Sequence, residues 1–409
     1  KAKEWASGQG REGSRILAVA KRALPVKTKN ILVRNERMLH FIGMVSFHDP
    51  LKPSTKKAVE DANRLGVQVK IITGDSREVA GWVGYEAGII ENPEDVITGE
   101  EFDRLSPEEK RQEVLSRRVF ARTLPLQKYE IIGLLKEKSL VGFLGEGFND
   151  APALKLAHVA IAVHGASDIA QDSSDIILLN KSLEVIVDGI REGRRVFANT
   201  IKYIKATLTS NFGNFYALAF ASLVIDYLPM LPIQILLLNL LSDFPMLSIA
   251  TDHVDEEELR IPKGYNVREV AFLAIVLGLV STIFDFSFFG LFARYGEGNL
   301  QTLWFIGSVL TELALLFSIR TSKWFFKATA PSFTVILLTG FMAALSVLIP
   351  LTSWGQNLFA FGKPPLHLLL GALGLVVAYF ATTEIVKKWY YRHFGQENVR
   401  AHNHRAQGA

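Results

Sequence analysis

Six apolar stretches follow one another through the second half of this chain, and they constrain its fold more than anything else in it. They run over about Thr207–Ile225, Leu231–Ala250, Val270–Ala293, Leu303–Ile319, Phe333–Leu351 and Leu366–Val386. Each is close to the ~20 residues a helix needs to cross a bilayer. In hydrocarbon the backbone has to satisfy its own polar groups, so such stretches fold as helices. Basic residues are shared unevenly among the connectors. Arg191, Arg194, Arg195, Lys202 and Lys205 precede the first stretch, Arg320, Lys323 and Lys327 follow the fourth, and Lys387, Lys388 and Arg392 follow the sixth. The 226–229 connector has no Lys or Arg, and the 294–301 and 352–365 connectors have one each. This bias predicts that the basic helix at 182–205, the 251–268 and 320–330 loops and the C-terminal end are cytoplasmic. The first half then lies in the cytoplasm too.

That first half reads as a soluble α/β domain. Strand candidates at Phe41–Phe47, Val67–Thr73, Val119–Ala121, Leu140–Leu144, Val159–Val163 and Ile176–Leu179 alternate with helical patterns at Ser54–Leu65, Arg77–Ala87, Pro125–Lys138 and Asp150–Leu156. The alternation predicts a parallel sheet covered on both faces. Ligands of such sheets sit at the carboxyl ends of strands. Residues 1–29 lack the apolar core of a signal peptide, and they read like the middle of a domain, as a truncated N-terminus would. The formal net charge of +4 is too small to argue for nucleic acid as a partner. With 0 cysteines, disulfides and thiolate metal sites are excluded. Residues 396–409 are polar and read as a disordered tail.

Three sets of residues fall at strand ends. Thr73-Gly74-Asp75 ends one strand, Gly145-Glu146-Gly147-Phe148-Asn149-Asp150-Ala151-Pro152 ends another, and Lys128 opens a helix after Arg122-Thr123-Leu124-Pro125. A phosphoryl-transfer site needs a hydroxyl and backbone N–H groups for the equatorial oxygens, a cation for developing charge and carboxylates to hold Mg²⁺. Singly each motif is weak, since Thr-Gly-Asp is commonly a turn and a lone lysine is commonly solvated. Together they supply every part.

These motifs, with Phe120-Ala121-Arg122 and Asp49-Pro50-Leu51-Lys52, resemble the phosphorylation domain of P-type cation-transporting ATPases within the haloacid-dehalogenase superfamily. Ser210-Asn211-Phe212-Gly213-Asn214, Asn239-Leu240-Leu241-Ser242-Asp243 and Thr251–Glu257 resemble most closely the bacterial magnesium-transporting members. The resemblance runs from about Arg15 to Gln396 and implies an α/β haloacid-dehalogenase-like (Rossmann-like) phosphorylation domain, incomplete, followed by an all-α six-helix transmembrane bundle. It implies a remnant of a nucleotide-binding domain at 1–37, the phosphorylation domain at 38–188, and a stalk with the family's membrane helices five to ten at 189–395. The implied catalytic residues are Thr73, Gly74, Asp75, Lys128, Asn149 and Asp150, with Asp49 and Arg122 toward ATP. Glu146 and Asp150 would hold the catalytic Mg²⁺. The implied setting is the plasma membrane, and the implied partners are the transported cation, the bilayer and an N-terminal part of the same pump.

The family phosphorylates the aspartate of an Asp-Lys-Thr-Gly-Thr motif, which these 409 residues do not contain. The segment bearing it should supply a central strand, so a gap in the sheet, or strands closed up around it, is expected. Glu146 stands where the family has Asp, and its added methylene changes its reach to a small octahedral ion. Phe244-Pro245 predicts local unwinding of the second span. Charged groups inside spans are expensive and mark function by default. Asp243 and Glu312, with Asn214 and Asn239, are the expected ligands of the transported cation, whereas Asp285 is open to an ion-binding or a hydrogen-bonding role. Two other readings compete. A non-catalytic membrane subunit would share all these features, while a membrane-anchored phosphatase would need an Asp-x-Asp nucleophile that the chain lacks.

Overall fold

A computed structural model of the chain describes residues 2–23, 37–180, 182–260, 262 and 264–394. The expected tail at 396–409 lies outside them. The chain divides into two compact units that meet in sequence at Ile190 and Arg191.

In the first unit, helix α1 (Ala2–Arg11) leads into an antiparallel ribbon of β1 (Ser14–Lys21) and β2 (His40–His48). Then come α2 (Ser54–Arg64), β3 (Ile71–Ile72), α3 (Arg77–Glu86), β4 (Ile97–Thr98), α4 (Gly99–Asp103), α5 (Pro107–Ser116), β5 (Val119–Ala121) and α6 (Pro125–Lys136). β6 (Gly142–Gly145), α7 (Ala151–Leu156), β7 (Val159–Ala162), α8 (Asp168–Asp172) and β8 (Ile176–Ile177) complete the unit. Helix starts follow local chemistry: the Ser76 hydroxyl caps α3, and Thr98 and Ser106 form capping boxes with Glu101 and Glu109.

The parallel strands form two separate three-stranded sheets, in the orders β3-β5-β4 and β6-β7-β8. Among the described residues the parallel strands therefore do not form one continuous sheet. β3 and β6, the strands that lead into Thr73-Gly74-Asp75 and Gly145–Asp150, are both edges. One apolar core still joins the sheets. Phe120 of β5, Ile131, Ile132 and Leu135 of α6, and Phe143 of β6 pack into a single cluster with Ala153, Leu154 and Ala162. An edge strand normally invites a partner, and β3 and β6 each end a sheet here.

The second unit begins within α9 (Leu183–Val224), a 42-residue helix that runs unbroken from the basic segment into the first apolar stretch. After it come α10 (Pro232–Ser248), the short α11 (Glu256–Leu259), α12 (Val267–Phe292), α13 (Glu297–Ile319), α14 (Phe333–Leu351), the short α15 (Ser353–Phe359) and α16 (Leu366–His393). Among the described residues five helices are long and apolar enough to cross a membrane: α10, α12, α13, α14 and α16. The remaining expected span, at 207–225, is helical but is diluted by Thr207, Thr209, Ser210, Asn211 and Asn214. α13 is the central helix, with Leu300, Leu303, Phe305, Ile306 and Val309 fully buried.

The unwinding expected at Pro245 does not occur: α10 stays helical to Ser248. Proline removes only its own N–H, leaving the Leu241 carbonyl without its usual helical donor. Three residues past Pro245, Ser248 donates its hydroxyl back to the Pro245 carbonyl at 2.6 Å, and a 3₁₀ turn follows.

α9 and α12 touch at small residues. A Cβ on Gly213 would lie 2.7 Å from the Ser281 Cβ, and one on Gly278 would lie 3.1 Å from the Phe212 Cβ. Such close approach is how helices pack in lipid, where exclusion of water supplies no drive. Gly213→Val is therefore expected to cost ~1–3 kcal/mol by overpacking, read as a lower melting temperature of the detergent-solubilised protein. A melting temperature equal to wild type would show that the crossing can relax.

Candidate functional site

The Thr73-Gly74-Asp75 turn is fixed by its own side chains and by the loop after β5. The Thr73 hydroxyl donates to Asp75 Oδ2 at 2.9 Å and accepts from the Asp75 amide at 3.1 Å. The Arg122 and Thr123 amides donate to the carbonyls of Asp75 and Thr73 at 2.8 and 3.0 Å. Arg122 takes a positive φ of 49°, unusual for a residue with a Cβ. This locks its backbone while its side chain stays exposed. Arg15 of β1 reaches Asp75 at 2.7 Å. Sequence reading missed it because it lies 60 residues away.

The second loop is organised around Asp150. Its Oδ1 accepts from Lys128 Nζ at 2.8 Å, and its Oδ2 accepts from the amides of Glu146 and Gly147, both at 3.2 Å. Burial alone would raise its pKa, but the Lys128 ammonium and these two amides hold it below the usual carboxylate range. The loop needs glycine at 145, since a Cβ there would lie 2.8 Å from the Asp150 Cβ. The pair also ties α6, which follows β5, to the loop after β6, and so links the two sheets at the site.

The expected catalytic residues thus fall into two groups. Thr73, Gly74, Asp75, Lys128 and Asp150 are held by neighbours at strand ends, whereas Glu146 and Asn149 are exposed on the same loop as Asp150. Asp49 is exposed between β2 and α2. For a bound Mg²⁺ the fit is partial. Among the described residues no three acidic or histidine side chains gather as a metal site. Asp150 already spends both oxygens on Lys128 and the amides, so the free carboxylate of the loop is Glu146. Mg²⁺ bound to phosphate needs only one or two protein carboxylates, and Glu146 fits as one of them.

In the second unit, α9, α10 and α13 enclose a cleft of about 520 Å³ lined by Asn211, Asn214, Phe215, Asn239, Trp304 and Ser308. The expected ligands divide around it. Asn214 and Asn239 line it. Glu312 of α13 is buried and accepts a hydrogen bond from Asn214 Nδ2. Asp243 is exposed on α10, yet its charge acts on Glu312. The set is all oxygen and amide, the chemistry of hard cations.

A polar network outside the cleft was only partly legible. Asp252 takes Arg320 at 3.0 and 3.2 Å and the Ser332 amide at 3.0 Å, with Lys202 at 3.6 Å. Burial lowers the pKa of Lys202 despite that carboxylate. Asp255 accepts from Thr321 and twice from Thr329. Sequence reading noted the Thr251–Glu257 run but not its partners on the 320–332 loop. The signal was available in Arg320, a cation at the end of an apolar span.

Comparison with known proteins agrees in both units. Residues 3–158 match the haloacid dehalogenase-like hydrolase family, and residues 227–389 match the family described as cation transporting ATPase, C-terminus. The chain is 36% identical over 393 residues to magnesium-transporting ATPase, P-type 1 of Escherichia coli K12 and 37% identical over 395 residues to its namesake in Salmonella typhimurium LT2. Each alignment covers 94% of this chain and 43% of the relative. Calcium-transporting ATPase 1 of Bacillus cereus is 29% identical over 400 residues, covering 91% of the chain and 44% of the relative. The chain therefore spans less than half the length of these relatives.

Proposed function

We propose that the chain, which is similar over 94% of its length to magnesium-transporting P-type ATPases, is the portion of a Mg²⁺ pump that carries part of the phosphoryl site in its first unit and the cation site in its second. The observation that carries this reading is the Lys128–Asp150 clamp at 2.8 Å, built on the loop after β6. ATP would phosphorylate an aspartate on a strand entering between β3 and β6. Lys128 then faces the developing phosphoryl charge, oriented by Asp150. The Thr73 hydroxyl and the amides of its turn take equatorial oxygens, and Glu146 would hold the catalytic Mg²⁺, which neutralises phosphate charge when bound. Arg122 and Asp49 serve the nucleotide side.

The transported cation would sit in the cleft among Asn214, Asn239, Glu312 and Asp243. The choice of Mg²⁺ is supported by the relatives named above and by the carboxylate and amide oxygens of these four side chains. With two carboxylates at hand, the ion keeps part of its water, which Mg²⁺ releases reluctantly. The unbroken α9 is the covalent path between the two sites.

The test is catalytic. The 409-residue chain contains no acceptor aspartate of the family type, so purified alone it should take up no acid-stable label from γ-labelled ATP. Adding the N-terminal remainder of a relative should restore labelling. Label on the chain alone would overturn the assignment.

The chain spans the membrane several times, and we propose that the first unit and the C-terminal end are cytoplasmic, from the Lys/Arg bias. Reporter fusions after Gly298 and after Ser322 should then report opposite sides. Two reporters on one side would reverse part of the topology.

A further inference from the structure

We propose that Asp285 of α12 is a proton-binding site within the membrane half, set behind the cation cleft. Asp285 is 6% exposed. Its Oδ1 accepts a hydrogen bond from Trp304 Nε1 at 2.8 Å, while its Oδ2 is buried and has no partner. The charged and titratable groups that act on it from the helices packed around it are Glu312 of α13 and Tyr379 of α16. One is a second acid and the other a phenol, so neither supplies positive charge. α13 has no Lys or Arg, and Lys387 of α16 is already paired with Glu384.

An ionised carboxylate here would leave half its charge without a donor in a low-dielectric interior. That is among the costliest arrangements a fold can hold. A neutral acid removes the cost, and the geometry says which oxygen carries the proton. An indole N–H can only donate, so Oδ1 has to accept and the proton resides on Oδ2.

Other buried polar side chains lie on the helices packed around it. Ser308 Oγ and Thr383 Oγ1 are also buried and without partners. Ser281 lies one turn before Asp285 on α12. Trp304, Ser308 and Glu312 recur at intervals of four along one face of α13. The first two also line the cleft. A stripe of polar groups therefore runs along α13 from the cleft wall, and Trp304 joins that wall to Asp285. A metal ion does not fit the same place. A hard cation needs about six oxygen ligands, whereas Asp285 brings one carboxylate with an N–H donor already aimed at it.

The inference rests on the membrane reading of α12, α13 and α16 and not on the role of the cleft. Infrared spectroscopy of the purified protein in lipid nanodiscs at neutral pH tests it. Wild type should show the C=O stretch of a protonated buried carboxyl, shifted in D₂O. Asp285→Asn should abolish that band, and Glu312→Gln and Asp243→Asn should keep it. Asparagine is isosteric with the neutral acid and still accepts from Trp304, so Asp285→Asn should melt at or above the wild-type temperature. A band that is absent in wild type, survives Asp285→Asn, or is lost with Glu312→Gln while Asp285→Asn keeps it would overturn the proposal. If Asp285→Asn does not fold, Asp285→Glu decides: the band should move in frequency, and an unmoved band would count against Asp285. Loss of cation transport in Asp243→Asn with the band intact would leave this inference standing whatever becomes of the cleft.

Discussion

Lys128→Ala in a complete pump carrying this segment should slow phosphorylation by about 10²–10³-fold, the usual effect of removing one preorganised electrostatic contact. The structure adds a second consequence. Lys128 and Asp150 are both largely buried, with side chains 16% and 12% exposed. Deleting the lysine therefore leaves Asp150 with only two amide donors. Burial already pushes its pKa upward and is opposed mainly by that lysine. In wild type the folded-state pKa of Asp150 is depressed, so its stabilising contribution is present above the ordinary carboxylate range and is lost as pH falls through the folded value. Without Lys128 that loss should begin at higher pH. Lys128→Ala should thus be slow at neutral pH and lose the loop's order earlier in an acid titration, measured by phosphorylation rate and thermal melting across pH. Asp150→Asn should be slow as well, because the lysine loses its orienting partner. Glu146→Asp, which restores the family residue, should be tolerated. A silent Lys128→Ala beside an inactive Glu146→Asp would show that the loop has been assigned the wrong way round.

The second large effect is expected in the cleft. Glu312→Gln should weaken cation affinity by about 10–100-fold, since hydrogen bonds to a charged group are worth ~1.5–3 kcal/mol and each ~1.4 kcal/mol is tenfold. Glu312 is the buried member, held by Asn214. Asp243 is exposed on α10 and acts on it through charge. Asp243→Asn should abolish cation-stimulated turnover while phosphorylation from inorganic phosphate persists, because the phosphoryl loops are untouched. The rival reading treats these residues as an interhelical hydrogen-bond cluster. Under it both variants would lower the melting temperature and leave cation affinity unchanged. Cation dependence of turnover and melting, measured on the same variants, separates the two.

Much of this was legible in the sequence for physical reasons. Membrane-crossing helices satisfy their own backbone, so their length and apolarity show in the chain. The stretch at 207–225 was the hard case, because the Asn and Ser residues that equip the cleft are those that dilute its hydropathy. The strand-end motifs were legible because phosphoryl chemistry asks for particular residue types at fixed spacing after a strand. Strands were harder. The candidates at Val67–Thr73 and Ile176–Leu179 held strands of only two residues, β3 and β8, and the two-residue β4 was too short for any periodicity to register. β1 was missed, and with it Arg15, since a contact 60 residues away leaves no local trace.

By itself the sequence determined the class of the protein, its division into a charged α/β half and an apolar helical half, and the residue types from which both candidate sites are made. These follow from local rules: backbone satisfaction in lipid, the alternation of strand and helix, and motif spacing. Only the tertiary structure decided which groups meet. It joined Lys128 to Asp150, left Glu146 as the free carboxylate, buried Glu312 behind Asn214 with Asp243 outside, and set Asp285 against Trp304 with one oxygen unmatched. It also split the sheet in two. Each outcome depends on which helices and strands pack together, and pairing between distant segments is decided by the shape of the whole core rather than by any window of the chain.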